Sequence, residues 1–136
     1  MIGLQWVTFT RPPLIEATDA LESDELVTVT QEPWLIFSPT KSNPTTGFIF
    51  YPGGRIDPRG YAQMMRAIAE GGYLAVVPEM PFNIAAFRPN TADEIIAEYP
   101  DINHWVIGGH SVGGTMAVQY TDKHPETIDG LAIWAS

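Results

Sequence analysis

Ser111 lies in the run Gly108-Gly109-His110-Ser111-Val112-Gly113-Gly114, where Gly109, Ser111 and Gly113 make a G-x-S-x-G pattern. A serine on a sharp strand-to-helix turn is held in a strained backbone conformation that pushes its hydroxyl into the open, where it can attack an acyl carbon. The residues two before and two after must be small to avoid collision, and Gly109 and Gly113 meet that condition. The pattern alone is a weak signal, since at roughly 7% usage of glycine and serine it arises by chance in about one chain of this length in twenty. Its surroundings strengthen it. Trp105-Val106-Ile107 is an apolar strand leading in, and Gly113, Gly114 and Ala117 are small enough for the following helix to lie close on a sheet.

Two other readings of this turn compete with the nucleophile. It could be a purely structural glycine turn, or a loop that cradles phosphate on helix N-terminal amides. The spacing speaks against the second: neither G-x-G-x-x-G nor G-x-x-x-x-G-K-[ST] fits residues 108–115, and no lysine is there to meet a phosphate. Among the histidines, His110 adjoins the serine, but neighbours on a tight turn point apart, so it reads as an elbow residue and not as a base. His124 closes the helix after the serine and reads as a solvated C-terminal residue that complements the helix dipole. His104 precedes its strand, at the wrong end. Asp122 and Asp129 flank the wrong end of the helix, Glu79 follows a strand and reads as a surface residue, and no His and carboxylate spacing suggests a metal site. Neither a metal nor a cofactor is expected.

The elements that must position Ser111 are legible as alternating strands and helices. Residues 26–31 alternate Val27 and Val29 with Thr28 and Thr30, and Glu32-Pro33 breaks the run before 34–37, which predicts a hairpin. Residues 47–51 form a short apolar strand running into Pro52, Gly53 and Gly54. Asp57 as cap and Pro58 at the first position predict a helix whose buried face carries Tyr61, Met64, Met65, Ile68 and Ala69, ending at Gly71 and Gly72. Residues 73–77 are the next strand. A helix opens at Thr91, with Glu94 completing a capping box, and runs to Pro100. Strand 105–109, helix 113–124 and strand 130–135 complete the series, while 80–89 has no clear assignment. Apolar strands without a polar face, separated by helices, predict a mostly parallel sheet covered on both sides, a three-layer α/β/α sandwich.

Composition excludes several partners. Sixteen acidic against seven basic residues give a net charge of −9, the wrong sign for nucleic acid or an anionic membrane surface. With no cysteine there are neither disulfides nor thiolate zinc sites. The first 14 residues have no basic segment and no long apolar run, so no signal peptide or transmembrane span is expected, and a cytoplasmic location is the default. An anchor could lie only upstream of residue 1.

On these motifs the chain resembles the α/β-hydrolase superfamily from about Trp34 to Ser136. The turn Tyr51-Pro52-Gly53-Gly54 sits where the family carries its H-G-G type turn, with Pro52 in place of the usual histidine. Together with the run around Ser111 it looks like a bacterial, serine esterase-like branch whose members tend to carry an N-terminal membrane anchor. The resemblance implies Ser111 as nucleophile, the Val112 amide as one oxyanion donor, and the amide of Gly54 or Arg55 as the other. It also implies a small-molecule acyl substrate and an acyl-enzyme route.

The family orders its triad as serine, acid, histidine, with the last two beyond the nucleophile helix. Residues 1–136 therefore read as the N-terminal portion of a single α/β-hydrolase domain, stopping after about the sixth strand, with the acid and histidine expected beyond residue 136. The apolar strand 130–135 would otherwise be an unprotected sheet edge. On this reading the 136-residue chain alone is expected to be inactive. A non-catalytic binding or scaffold protein on the same fold, and a chain completed by another polypeptide, are the competing accounts. Substrate identity and oligomeric state are not readable from the residues.

Overall fold

The computed structural model describes residues 19–54, 57–79 and 91–134. Their six strands are β1 (Val27–Thr30), β2 (Leu35–Pro39), β3 (Thr46–Tyr51), β4 (Leu74–Val77), β5 (His104–His110) and β6 (Ile128–Trp134). Helix α1 (Ala62–Glu70) follows a 3-10 turn at Pro58–Tyr61, and α2 (Thr91–Glu98) and α3 (Val112–Lys123) precede and follow β5. The strands lie in the order β1-β2-β4-β3-β5-β6. β1 and β2 form the expected antiparallel hairpin, β2 pairs antiparallel with β4, and β3, β4, β5 and β6 run parallel.

The central strands β3 and β4 are apolar on both faces because both faces are covered. On β3, Phe48 and Phe50 face one core while Ile49 and Tyr51 face the other, and on β4 Ala75 and Val77 oppose Leu74 and Val76 in the same way. The first core takes Ala62, Met65 and Ala69 from α1. The second takes Ala92 and Ile95 from α2 and Ala117 and Tyr120 from α3. These two cores on opposite sides of one sheet make the α/β/α sandwich that the alternation predicts.

Most element ends fall within two residues of the expectation, and two of the departures have a structural cause. The Asp57-Pro58 signal starts a tight 3-10 turn, and the α-helix begins only at Ala62. Asp57 accepts the Arg59 amide at 2.9 Å and pairs with the Arg59 guanidinium, which closes one turn locally and holds its carboxyl below the usual carboxylate range. Strand β6 starts two residues early, at Ile128, and so includes a carboxylate. Asp129 is accommodated there because it accepts the Trp105 amide at 3.0 Å, where the β5–β6 register shifts between Trp105 and Val106. The reading of 80–89, and residue 135 of the last strand, fall outside the described residues. No helix among the described residues is long and apolar enough to cross a membrane.

Candidate active site

The chain reverses its direction of winding at β3. From β3 it passes through α1 to β4 on one side, then returns through α2 to β5 on the other. In open parallel sheets such a switch point leaves a crevice outside the carboxyl ends of the two central strands, where ligands bind. Here those ends are Tyr51 of β3 and Gly109 of β5, which are register partners. The turn 52–54 and the turn at Ser111 both emerge into this crevice.

Ser111 is exposed and has φ 58° and ψ −122°, the one positive φ at a non-glycine among the described residues. Such a conformation costs on the order of 1–3 kcal/mol, so the surroundings must impose it. They do. The Ser111 amide donates to the Trp134 carbonyl at 3.2 Å, and the Ser111 carbonyl accepts from Thr115 to start α3. A Cβ on Gly109 would lie 2.3 Å from the Gly113 carbonyl oxygen. One on Gly113 would lie 2.3 Å from the Tyr51 oxygen and 2.4 Å from that of Pro52. Both glycines are therefore required: one lets α3 fold back over the end of β5, the other lets it touch the end of β3.

The same contact brings the two turns together. Pro52 and Gly53 are buried, and a Cβ on Gly54 would stand 3.3 Å from Cγ1 of Val112. Val112 opens α3, and the opening amides of a helix have no acceptor within it, so the α3 N-terminus offers donors and a favourable dipole beside Ser111. Gly54, Gly109, Ser111, Val112 and Gly113 thus converge, with Arg55 outside the described residues.

His110 is turned away from Ser111 into the core, 8% exposed, with Nδ1 2.9 Å from the Tyr61 hydroxyl. Tyr61 is 1% exposed, and its hydroxyl also accepts the Gly53 amide at 3.0 Å. Burial lowers the His110 pKa and raises that of Tyr61, so both groups stay neutral around pH 7. The sequence marks Tyr61 only as one apolar helix position. The signal it carries is its identity: a tyrosine at a core position brings a hydroxyl that needs a partner.

The remaining histidines are elsewhere. His104 begins β5, at the opposite end of that strand from Ser111, with Nδ1 3.6 Å from Asp129. His124 caps the far end of α3, stacked on Tyr120 with ring centroids 4.0 Å apart and Nδ1 2.9 Å from the Tyr120 carbonyl. It is half-buried there, not freely solvated. Glu79 and Asp122 are exposed. Among the described residues no three His, Asp or Glu side chains gather in a way that could hold a metal ion.

The fold has many known counterparts. A bacterial heroin esterase superposes with a TM-score of 0.66 at 16% identity, covering 88% of this chain and 48% of its own. An inhibited esterase B from Lactobacillus rhamnosis gives 0.58 at 12% identity, with 89% and 52% covered. A thermostable carboxyl esterase from Bacillus coagulans gives 0.57 at 17% identity, with 81% and 43% covered. The chain thus spans about half the length of these structures, and at these identities the likeness is one of fold. Comparison with curated proteins returns no match. The model of the alpha/beta hydrolase family matches residues 47–136, which takes in both turns of the crevice and well over half of the chain. With its strand order, its two-sided core and this match, the chain belongs to the alpha/beta hydrolase family.

Proposed function

We propose that the protein is a serine hydrolase that cleaves carboxylic esters or related acyl compounds through an acyl-enzyme on Ser111. The observation that carries this reading is the exposed Ser111 at φ 58°, held between two glycines that cannot accept a Cβ. A backbone so strained, with the hydroxyl at the switch-point crevice, is what a nucleophile requires and what a plain connecting turn does not. Esterases among the structural neighbours, one of them described as inhibited, agree with this chemistry.

In the proposed reaction the Ser111 oxygen attacks the substrate carbonyl carbon and loses its proton to a base. The carbonyl electrons move onto oxygen, and the tetrahedral anion then collapses, breaking the bond to the leaving oxygen, which takes the proton back from the base and departs as the alcohol, while the acyl group stays on Ser111. Water repeats the sequence to release the acid. The developing oxyanion meets the amides of Val112 and of Gly54 or Arg55, and losing one such donor typically lowers turnover by about 100- to 1000-fold. No histidine among the described residues is placed to serve as the base, since His110 faces Tyr61 and His104 and His124 lie far off. We assign the base and its acid partner to segments following residue 136, with residues 1–136 as the N-terminal portion of one hydrolase domain.

That same lack of a base is the observation favouring the other reading, a non-catalytic binding protein on this fold. Treating the full-length protein with a fluorophosphonate separates the two. Covalent labelling that disappears in Ser111→Ala supports the hydrolase, and a protein that stays unlabelled supports the binding protein.

A further inference from the structure

We propose that Tyr61 is a positioning residue for the oxyanion hole: its hydroxyl ties the turn 52–54 to the turn at Ser111, so that the amides on the two turns face one oxygen atom. The inference rests on the serine-hydrolase reading above and adds to it a residue outside both turns.

The Tyr61 hydroxyl lies 3.0 Å from the Gly53 nitrogen and 2.9 Å from His110 Nδ1. An amide can only donate, so the hydroxyl accepts from Gly53 and has its own proton to give to the imidazole. Each partner is next to a working element. Gly53 precedes Gly54 directly, and His110 precedes Ser111 and Val112. One oxygen therefore holds both turns at the point where each enters the site.

The anchor is rigid because it belongs to neither turn. The Tyr61 ring packs on Phe50 of β3 with centroids 4.8 Å apart, and the residue stands at the junction of the Asp57-capped 3-10 turn and α1. The turn it holds runs Pro52-Gly53-Gly54, two glycines with little intrinsic preference for one conformation. Donors stabilise a developing charge only if they are already aimed at it, and a misplacement of about 1 Å can lower a rate about 100-fold. Packing alone would be served by phenylalanine, so the buried hydroxyl is explained by its partners.

The test compares an ester with the matching thionoester, whose sulfur is a larger, weaker acceptor and gains little from such donors. In the full-length protein, Tyr61→Phe is expected to lower kcat for the ester roughly 10- to 100-fold, with KM changed less than about twofold. The thionoester rate should fall much less, so the ester-to-thionoester ratio drops. Tyr73→Phe, at an exposed position, should leave both rates unchanged. A Tyr61→Phe protein with wild-type kcat, or with equal losses on both substrates, overturns the proposal. Should Tyr61→Phe not fold, His110→Asn and His110→Leu decide it. The amide oxygen of asparagine can stand in for Nδ1, so His110→Asn should keep a higher ratio than His110→Leu, and equal ratios contradict the link. A wild-type protein with neither ester turnover nor Ser111 labelling removes the hydrolase reading and this inference with it. Wild-type turnover with an indifferent Tyr61→Phe removes this inference alone.

Discussion

At each end of α3 a tyrosine meets a histidine, and the two meetings do different things. Before the helix, Tyr61 and His110 approach edge-on at 67°, both buried, and their hydrogen bond joins segments 49 residues apart in sequence. At its last turn, Tyr120 and His124 stack within 14° of parallel, one helical turn apart, while the Tyr120 hydroxyl donates to Asp93 of α2. The first pair ties together the two turns that border the switch-point crevice. The second fastens one helix to another on a single side of the sheet. The same two residue types thus serve the switch-point crevice in one place and a helix contact in the other. What separates them is whether the partner backbone is a turn that must be aimed or a helix that is already rigid.

Breaking the frame on the site side should have the largest effect on stability. Gly113→Ala drives a Cβ into the carbonyl oxygens of Tyr51 and Pro52, both backbone atoms that cannot swing aside. We expect a loss of about 3 kcal/mol or more in urea unfolding, with ester turnover lost as well. A variant that unfolds like the wild type would mean the two turns are not in contact as described.

On the other side, Tyr120→Phe removes the hydrogen bond to Asp93. Since Asp93 is about half exposed, the expected cost is only about 1 kcal/mol. Ester turnover by the full-length protein should not change. Comparing Tyr120→Phe with Tyr61→Phe sharpens the contrast directly: each loses one hydroxyl, and only the second should slow the reaction. A drop in kcat for Tyr120→Phe would erase the distinction.

A smaller effect should appear in the pH dependence of stability. Burial holds His110 below its ordinary value of 6.5, while in the unfolded chain the ring titrates near that value. Between the two values the unfolded state binds more protons, so stability falls as pH is lowered through 6.5 toward the folded value. His110→Asn lacks this contribution, while His104 and His124 remain in both proteins. Urea midpoints at pH 7.5 and 5.5 should therefore differ more in the wild type than in His110→Asn. Equal differences would mean that His110 titrates normally in the fold.

The turn at Ser111 is legible in the sequence because steric exclusion leaves a mark there. Only glycine fits at 109 and 113, and an apolar strand and a helix of small residues must flank them. The apolar runs of β3, β4 and β5 are legible for a similar reason, since a strand covered on both faces cannot carry a polar one. Their order is less so: β4 lies between β2 and β3, a placement that depends on which faces the helices cover and not on any one segment. The start of α1 is obscured because Asp57 and Pro58 suit a 3-10 turn as well as an α-helix. Asp129 looks like a loop residue, because its bond to the Trp105 amide exists only once β5 and β6 are paired. Tyr61 is hidden for the same reason. Its ring fits the helical spacing, but the partners of its hydroxyl are 8 and 49 residues away.

The central claim is that Ser111 is a nucleophile, and the most direct measurement is the site of covalent modification in the full-length protein. After reaction with a fluorophosphonate and proteolysis, mass spectrometry should find one phosphonyl group per chain, on Ser111, with none bound by Ser111→Ala. A protein that hydrolyses esters while its label sits on any other residue would contradict the account.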